Sequence, residues 1–204
     1  MIKAVLFDYG GVLSAGGGRG SVASIVGRLF GVQDVSQDDI QELHDALRKG
    51  EITSQQFFAG FNERFGTNVA VSEEQFFEGG NMLARNEKVY ELAAALRGSG
   101  IRTGILSNVY EMTARRLAEA GCYDGFDPVI LSYEEGLEKP EPAFYELALT
   151  KLGLSAHEVL FVDDQEKCMP PAQALGMHTV LSSNQEDIVA TVKDIVRQQN
   201  NIQL

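Results

Sequence analysis

MIKAVLFDYGGVL (residues 1–13) contains an apolar run, AVLF, that ends on Asp8 and then on Gly10 and Gly11. A run so short and continuous, bounded by Asp-x-Gly-Gly, reads as a strand buried on both faces. A carboxylate closing such a strand and facing a flexible turn is an odd way to make a core. It is a common way to make an active site.

The same form recurs along the chain. IRTGILS (101–107) and HEVLFVDD (157–164) are apolar runs that end in polar residues, and PVILS (128–132) and HTVLS (178–182) are shorter candidates. Helical patterns separate them. In residues 108–121, Val109, Met112, Leu117 and Ala120 fall near one face, with Asn108 suited to the N-cap and Gly121 to the stop. In residues 140–153, Phe144, Leu147, Ala148 and Leu152 form a stripe, with Pro142 in the first turn and Gly153 at the end. Ser155 and Glu158 have capping-box spacing, but a strand-like run follows, so no cap is expected there. Alternation of this kind implies an α/β, Rossmann-like fold with a right-handed parallel sheet. Such sheets bind ligands beyond the carboxyl ends of their strands, and that is where Asp8, Ser107 with Asn108, and Asp163 with Asp164 fall.

Residues 15–82 break the alternation with four helix-like segments: 21–31, 36–50, 53–66 and 72–84. Phe57, Phe58, Phe61 and Phe65 lie near one side of the third and read as a core stripe. The expected organisation is a core domain of residues 1–14 and 83–204, with a helical cap of residues 15–82 inserted after the first strand.

Composition narrows the partners. The 204 residues are 44% hydrophobic and 23% charged, as in an ordinary globular chain. A net charge of -12 argues against nucleic acid and anionic membrane surfaces, which are held by clustered Lys and Arg. Cys122 and Cys168 are far apart and lack CxxC spacing, so neither a disulfide framework nor zinc is expected. The N-terminal apolar run is too short for a signal peptide or a span, and the expectation is a cytoplasmic monomer or homodimer. AGGGRG (15–20) lacks a phosphate-loop ending and reads as a hinge. His44, His157 and His178 share no ligand spacing and read as surface or strand-end residues, although His44 and Arg19 are candidates for the cap side of the pocket. Glu73-Glu74 and Glu134-Glu135 read as solvated faces.

The polar groups at the sheet edge suit phosphoryl transfer. A carboxylate attacking phosphorus in line forms an aspartyl-phosphate. Attacker and phosphate are both anionic, so a divalent cation must lie between them, and oxygen ligands favour Mg²⁺. Asp164, helped by Asp163, supplies the opposing carboxylates, Ser107 and the Asn108 amide donate to phosphoryl oxygens, and Lys139 balances charge.

FDYGGVL, LSN, GLEKPEPAFY and FVDD occur in the order and approximate spacing of the four motifs of the haloacid dehalogenase-like (HAD) hydrolase superfamily, which the chain resembles over nearly its whole length. KGEITSQQF (49–57) and Asp-x-Gly in the first motif further resemble the branch of α-D-glucose-1-phosphate phosphatases. The resemblance implies Asp8 as nucleophile, Ser107 and Asn108 as phosphate ligands and Lys139 as the motif-three cation. It also implies Mg²⁺ held by Asp8, the Gly10 carbonyl and Asp164, with Asp163 supporting, and a small phosphorylated metabolite as substrate. Two departures stand out. Most phosphatases of the superfamily carry a second aspartate where this chain has Gly10, and losing such an acid–base group costs about 10²–10⁴-fold in rate. That loss is smaller for good leaving groups, such as the anomeric oxygen of a sugar 1-phosphate, so the expectation is either such substrates or an acid borrowed from the cap or the substrate. Cys168 stands where related chains often have Asn. A 2-haloacid dehalogenase also lacks the second aspartate, but a metal-free enzyme attacking an anionic haloacid has little use for Asp163 and Asp164. A weakly catalytic phosphometabolite binder is the third reading.

Overall fold

The computed structural model describes residues 1–16, 21–78, 83–182 and 185–201. Five strands, β1 (Ala4–Phe7), β2 (Arg102–Ser107), β3 (Val129–Leu131), β4 (Val159–Asp163) and β5 (His178–Leu181), form one sheet in the order β3-β2-β1-β4-β5. Every pairing is parallel. β1 therefore lies in the middle, with Phe7 in register with Ile105 on one side and Val162 on the other. Asp8, Ser107 and Asp163 consequently leave the sheet at the same edge.

Burial on both faces explains why the strands read as continuous apolar runs. Val5 and Phe7 point into one core, with Leu160, Val162 and the helices α5 (Glu87–Gly98), α6 (Glu111–Glu119) and α10 (Gln185–Asn200). Ala4 and Leu6 point into the other, with Phe161 and the helices α8 (Pro142–Leu152) and α9 (Met169–Ala174). A single turn of helix, α7 (Ser132–Glu135), follows β3.

Four helices lie between β1 and β2: α1 (Val22–Phe30), α2 (Gln37–Arg48), α3 (Ser54–Phe65) and α4 (Glu73–Glu78). They share a third hydrophobic cluster containing Phe30, Phe57, Phe58, Phe61 and Phe76. The Phe61 ring stacks on Phe65 at 4.4 Å and meets Phe30 at 4.5 Å. α2 and α3 each begin with a capping box, at Ser36–Asp39 and Thr53–Gln56, which fixes where each helix starts. Where the chain leaves and rejoins the sheet layer, Ser14 and Arg85 form an antiparallel bridge, and Asn86 donates to the Leu13 carbonyl at 2.8 Å.

Several local expectations are corrected. Asn108 does not cap α6, because its side chain is drawn to residue 139; Tyr110 precedes the helix without a side-chain cap. Ser155 and Glu158 do form a capping box, on a short 3-10 turn that leads into β4. Of the paired acids, Glu74 and Glu134 are exposed as expected, whereas Glu73 and Glu135 are half-buried. Glu73 meets Arg115 and Ser54, Glu74 meets Arg116 at 2.9 Å, and Glu135 pairs with Lys151. His157 is exposed and His178 begins β5, as expected, but His44 is buried. Arg19 and most of the 15–20 segment lie outside the described residues. Among the described residues, no helix is long and apolar enough to cross a membrane.

Candidate active site

Asp8 follows β1 directly. The chain then turns tightly through Gly10, at φ −68° and ψ 126°, and Gly11, at φ 72°. A positive φ is strained for a residue with a side chain. Space matters as much: a Cβ on Gly11 would lie 2.2 Å from Oδ2 of Asp164 and 2.7 Å from its Cγ. The second glycine is what lets the Asp164 carboxylate close on the turn.

Asp8 is 4% exposed and Lys139 2%, so their contact is nearly dry. The Lys139 Nζ lies 2.8 Å from Asp8 Oδ1 and 2.5 Å from Asp163 Oδ2. The other oxygen of Asp163, Oδ1, accepts from the Gln165 N–H at 2.7 Å, which ties down the turn after β4. Burial raises the Asp8 carboxyl; Lys139 pulls it back, Asp163 and Asp164 push it up, and it settles at about 6. Burial and then Asp163 also raise Asp164. Burial would lower Lys139, but Asp8 and Asp163 outweigh it and hold the ammonium well above its ordinary value.

Two carboxylates thus contact one ammonium, and Asp8, Asp163 and Asp164 can place one oxygen each within 4.8 Å of one another. That excess of negative charge, built from hard oxygen donors, fits a divalent cation of the Mg²⁺ type. A cation there would favour the ionised form of the carboxyls that crowding now raises.

Ser107, 2% exposed, ends β2 beside β1. Asn108 is half-buried, and its side chain holds the main chain of residue 139. Gly10 occupies the turn itself. The sequence-predicted residues therefore share one sheet edge, with Asp8, Lys139 and Asp163 in direct contact and Asp164 closing the cluster. Cys168 is buried below it, and burial pushes its thiol up to about 11. The Tyr145 hydroxyl donates to the Cys168 carbonyl at 2.9 Å.

The sequence reading missed a polar seam between α2 and the loops around Lys139. Arg48 Nε lies 2.8 Å from Oε2 of Glu138, off the hydrogen-bond direction, and its Nη2 is 3.1 Å from Oε1. Lys49 pairs with Glu141, and the Ser132 hydroxyl donates to the Arg48 carbonyl at 2.7 Å. The only trace in the sequence is opposite charge, RK at 48–49 and two glutamates flanking KP at 139–140, about 90 residues apart. Beside this seam, the Gln37 side-chain amide donates to His44 Nδ1 at 2.7 Å. Nδ1 is then an acceptor, so the proton sits on Nε2, which donates to the Tyr110 hydroxyl at 2.6 Å.

Burial, then Arg48, lowers His44 from 6.5 to about 4 against the opposing pull of Asp45. An unfolded chain takes up this proton near 6.5 and the folded chain resists it, so stability falls as pH drops from 6.5 towards 4. The loss is on the order of 3 kcal/mol. The difference in unfolding free energy between wild type and His44→Gln, measured by denaturant titration, should change across that window. Parallel profiles would contradict the assignment.

The model of the haloacid dehalogenase-like hydrolases matches residues 2–176. A sesquiterpene phosphatase, astK, of Aspergillus oryzae is 27% identical over 176 residues, covering 86% of this chain and 87% of that protein. The mouse acyl-CoA dehydrogenase family member 10 is 28% identical over 203 residues, 95% of this chain but 19% of that much longer protein. Among solved structures, the HAD family enzyme bt-2542 of Bacteroides thetaiotaomicron, in complex with magnesium and inorganic phosphate, superposes with a TM-score of 0.72. It is 25% identical, and the match covers 89% of this chain and 94% of that one.

Proposed function

Because the chain belongs to the haloacid dehalogenase-like hydrolases, we propose that it is a Mg²⁺-dependent phosphatase of a small phosphorylated metabolite, working through an aspartyl-phosphate on Asp8. The observation that carries this reading is the buried Asp8 carboxylate, fixed by Lys139 and crowded by Asp163 and Asp164. The named phosphatase relative and the phosphate complex of bt-2542 support it.

In this reading Asp8, the Gly10 carbonyl and Asp164 hold the cation, and Asp163 supports by orienting Lys139. Bound Mg²⁺ supplies charge neutralisation between two anions. Asp8 attacks phosphorus, and the bond to the leaving oxygen breaks. Water then attacks phosphorus, releasing inorganic phosphate and regenerating the carboxylate. The Ser107 hydroxyl and the Asn108 main-chain N–H hold phosphoryl oxygens, while Lys139 offsets the charge that develops. Residues 15–82 act as a cap, a division supported by a hydrophobic cluster drawn mostly from them, with Met112 joining it from α6, and by the Ser14–Arg85 bridge at their base.

Gly10 brings no acid to the leaving group, so substrates whose leaving oxygen needs none, such as sugar 1-phosphates, are favoured. A panel of phosphate esters assayed with Mg²⁺ and with excess chelator tests this. Turnover should require the metal, and aryl and anomeric phosphates should exceed primary alkyl phosphates by about 10²-fold or more. Equal rates would refute the leaving-group argument. Halide release from 2-haloacids in chelator would overturn the phosphatase reading.

A further inference from the structure

Asn108 follows Ser107 at the end of β2, where it would be taken for one more phosphate ligand. Its side chain is committed elsewhere. Oδ1 accepts from the Lys139 N–H at 2.8 Å, and Nδ2 donates to the Lys139 carbonyl at 2.8 Å. Both main-chain groups of one residue are thus bound by one carboxamide, as a neighbouring strand would bind them. On either side of Lys139, Glu138 is held by Arg48 and Glu141 by Lys49. Those pairs fix the flanks of the segment, and Asn108 fixes the residue that matters. The Lys139 ammonium must land between Asp8 Oδ1 and Asp163 Oδ2, and its position follows from where its own backbone sits.

We propose that the Asn108 side chain is a positioning residue, which places the Lys139 ammonium against Asp8 through paired hydrogen bonds to the Lys139 backbone, and is not itself a phosphate ligand. The inference rests on Lys139 being the charge-balancing group of the proposed phosphatase. Misplacing a catalytic group by about 1 Å is enough to cost about 10²-fold in rate. One residue after the phosphate-facing Ser107 then sets the lysine as well, so the end of β2 governs two parts of the site.

The test is a double-mutant cycle on the full chain with Mg²⁺ and an aryl phosphate, using Asn108→Ala, Lys139→Ala and the pair. Asn108→Ala should lower kcat by about 10–10²-fold in the wild-type background. In the Lys139→Ala background it should cause no further loss and should leave inhibition by inorganic phosphate unchanged. Asn108→Asp keeps the acceptor and loses the donor, and should fall between wild type and Asn108→Ala. Lys139→Gln provides the second background if circular dichroism shows Lys139→Ala to be unfolded. An equal loss from Asn108→Ala in both backgrounds, or weakened phosphate inhibition in the Lys139→Ala background, overturns the positioning role and leaves the phosphatase reading standing. Unchanged turnover in Lys139→Ala overturns the role given to the lysine, and the inference with it.

Discussion

Asp8→Asn is expected to abolish phosphate-ester turnover, by at least about 10⁴-fold in kcat, while leaving the fold intact. The size follows from removing the group proposed to form the covalent bond. The tolerance of the fold follows from the surroundings. Removing one partner of a buried ion pair usually costs several kcal/mol, because the other charge is left alone. Here Lys139 keeps Asp163 at 2.5 Å, and the carboxyl that is lost is one whose charged form burial already disfavours. Thermal unfolding of the variant should therefore match that of wild type to within a few degrees, corresponding to about 1 kcal/mol or less. A steady-state assay with a folded variant separates loss of the nucleophile from loss of structure.

Gly11→Ala should also damage activity, by less and for a different reason. The new methyl would lie 2.2 Å from Asp164 Oδ2, a distance no real contact tolerates, so either the turn or the carboxylate must move. Holding alanine at φ 72° adds strain of about 1–2 kcal/mol. Displacing Asp164 disturbs the oxygen cluster, and disturbance of groups around a metal costs about 10–100-fold in affinity or activity. Mg²⁺ titration of activity should show the apparent metal affinity falling by at least about tenfold, with partial recovery of turnover at high Mg²⁺. Wild-type metal dependence in the variant would mean that Asp164 takes no part in holding the cation.

Much of the fold was legible because its signals are local. The five apolar runs became the five strands to within a residue or two, and their polar ends marked the edge where Asp8, Lys139 and Asp163 meet. Gly153 and Pro142 bounded α8 as their backbone preferences require. What the sequence left hidden is long-range. Asn108 resembled a helix cap because Asn is a good cap, and a partner 31 residues away won its side chain. His44 looked like surface because nothing near it in sequence announces Tyr110, 66 residues on. Glu138 and Arg48 meet across 90 residues, and single-sequence periodicity carries no information about such pairs. The Ser155–Glu158 spacing is visible in the sequence but is discounted because a strand follows it; the box closes a 3-10 turn too short to give a periodic pattern.

The covalent role of Asp8 is the central claim, and Gly10 makes it directly observable. With no second aspartate to activate water, hydrolysis of the aspartyl-phosphate should be slower than its formation, so the intermediate accumulates. Rapid-quench kinetics with an aryl phosphate and Mg²⁺ should show a burst of released phenol approaching one per active site. Peptide mapping of the quenched enzyme should place the phosphoryl group on Asp8, and neither signal should appear in Asp8→Asn. Linear release from the first turnover, with no phosphoryl group on Asp8 and activity surviving in Asp8→Asn, would contradict covalent catalysis by this residue.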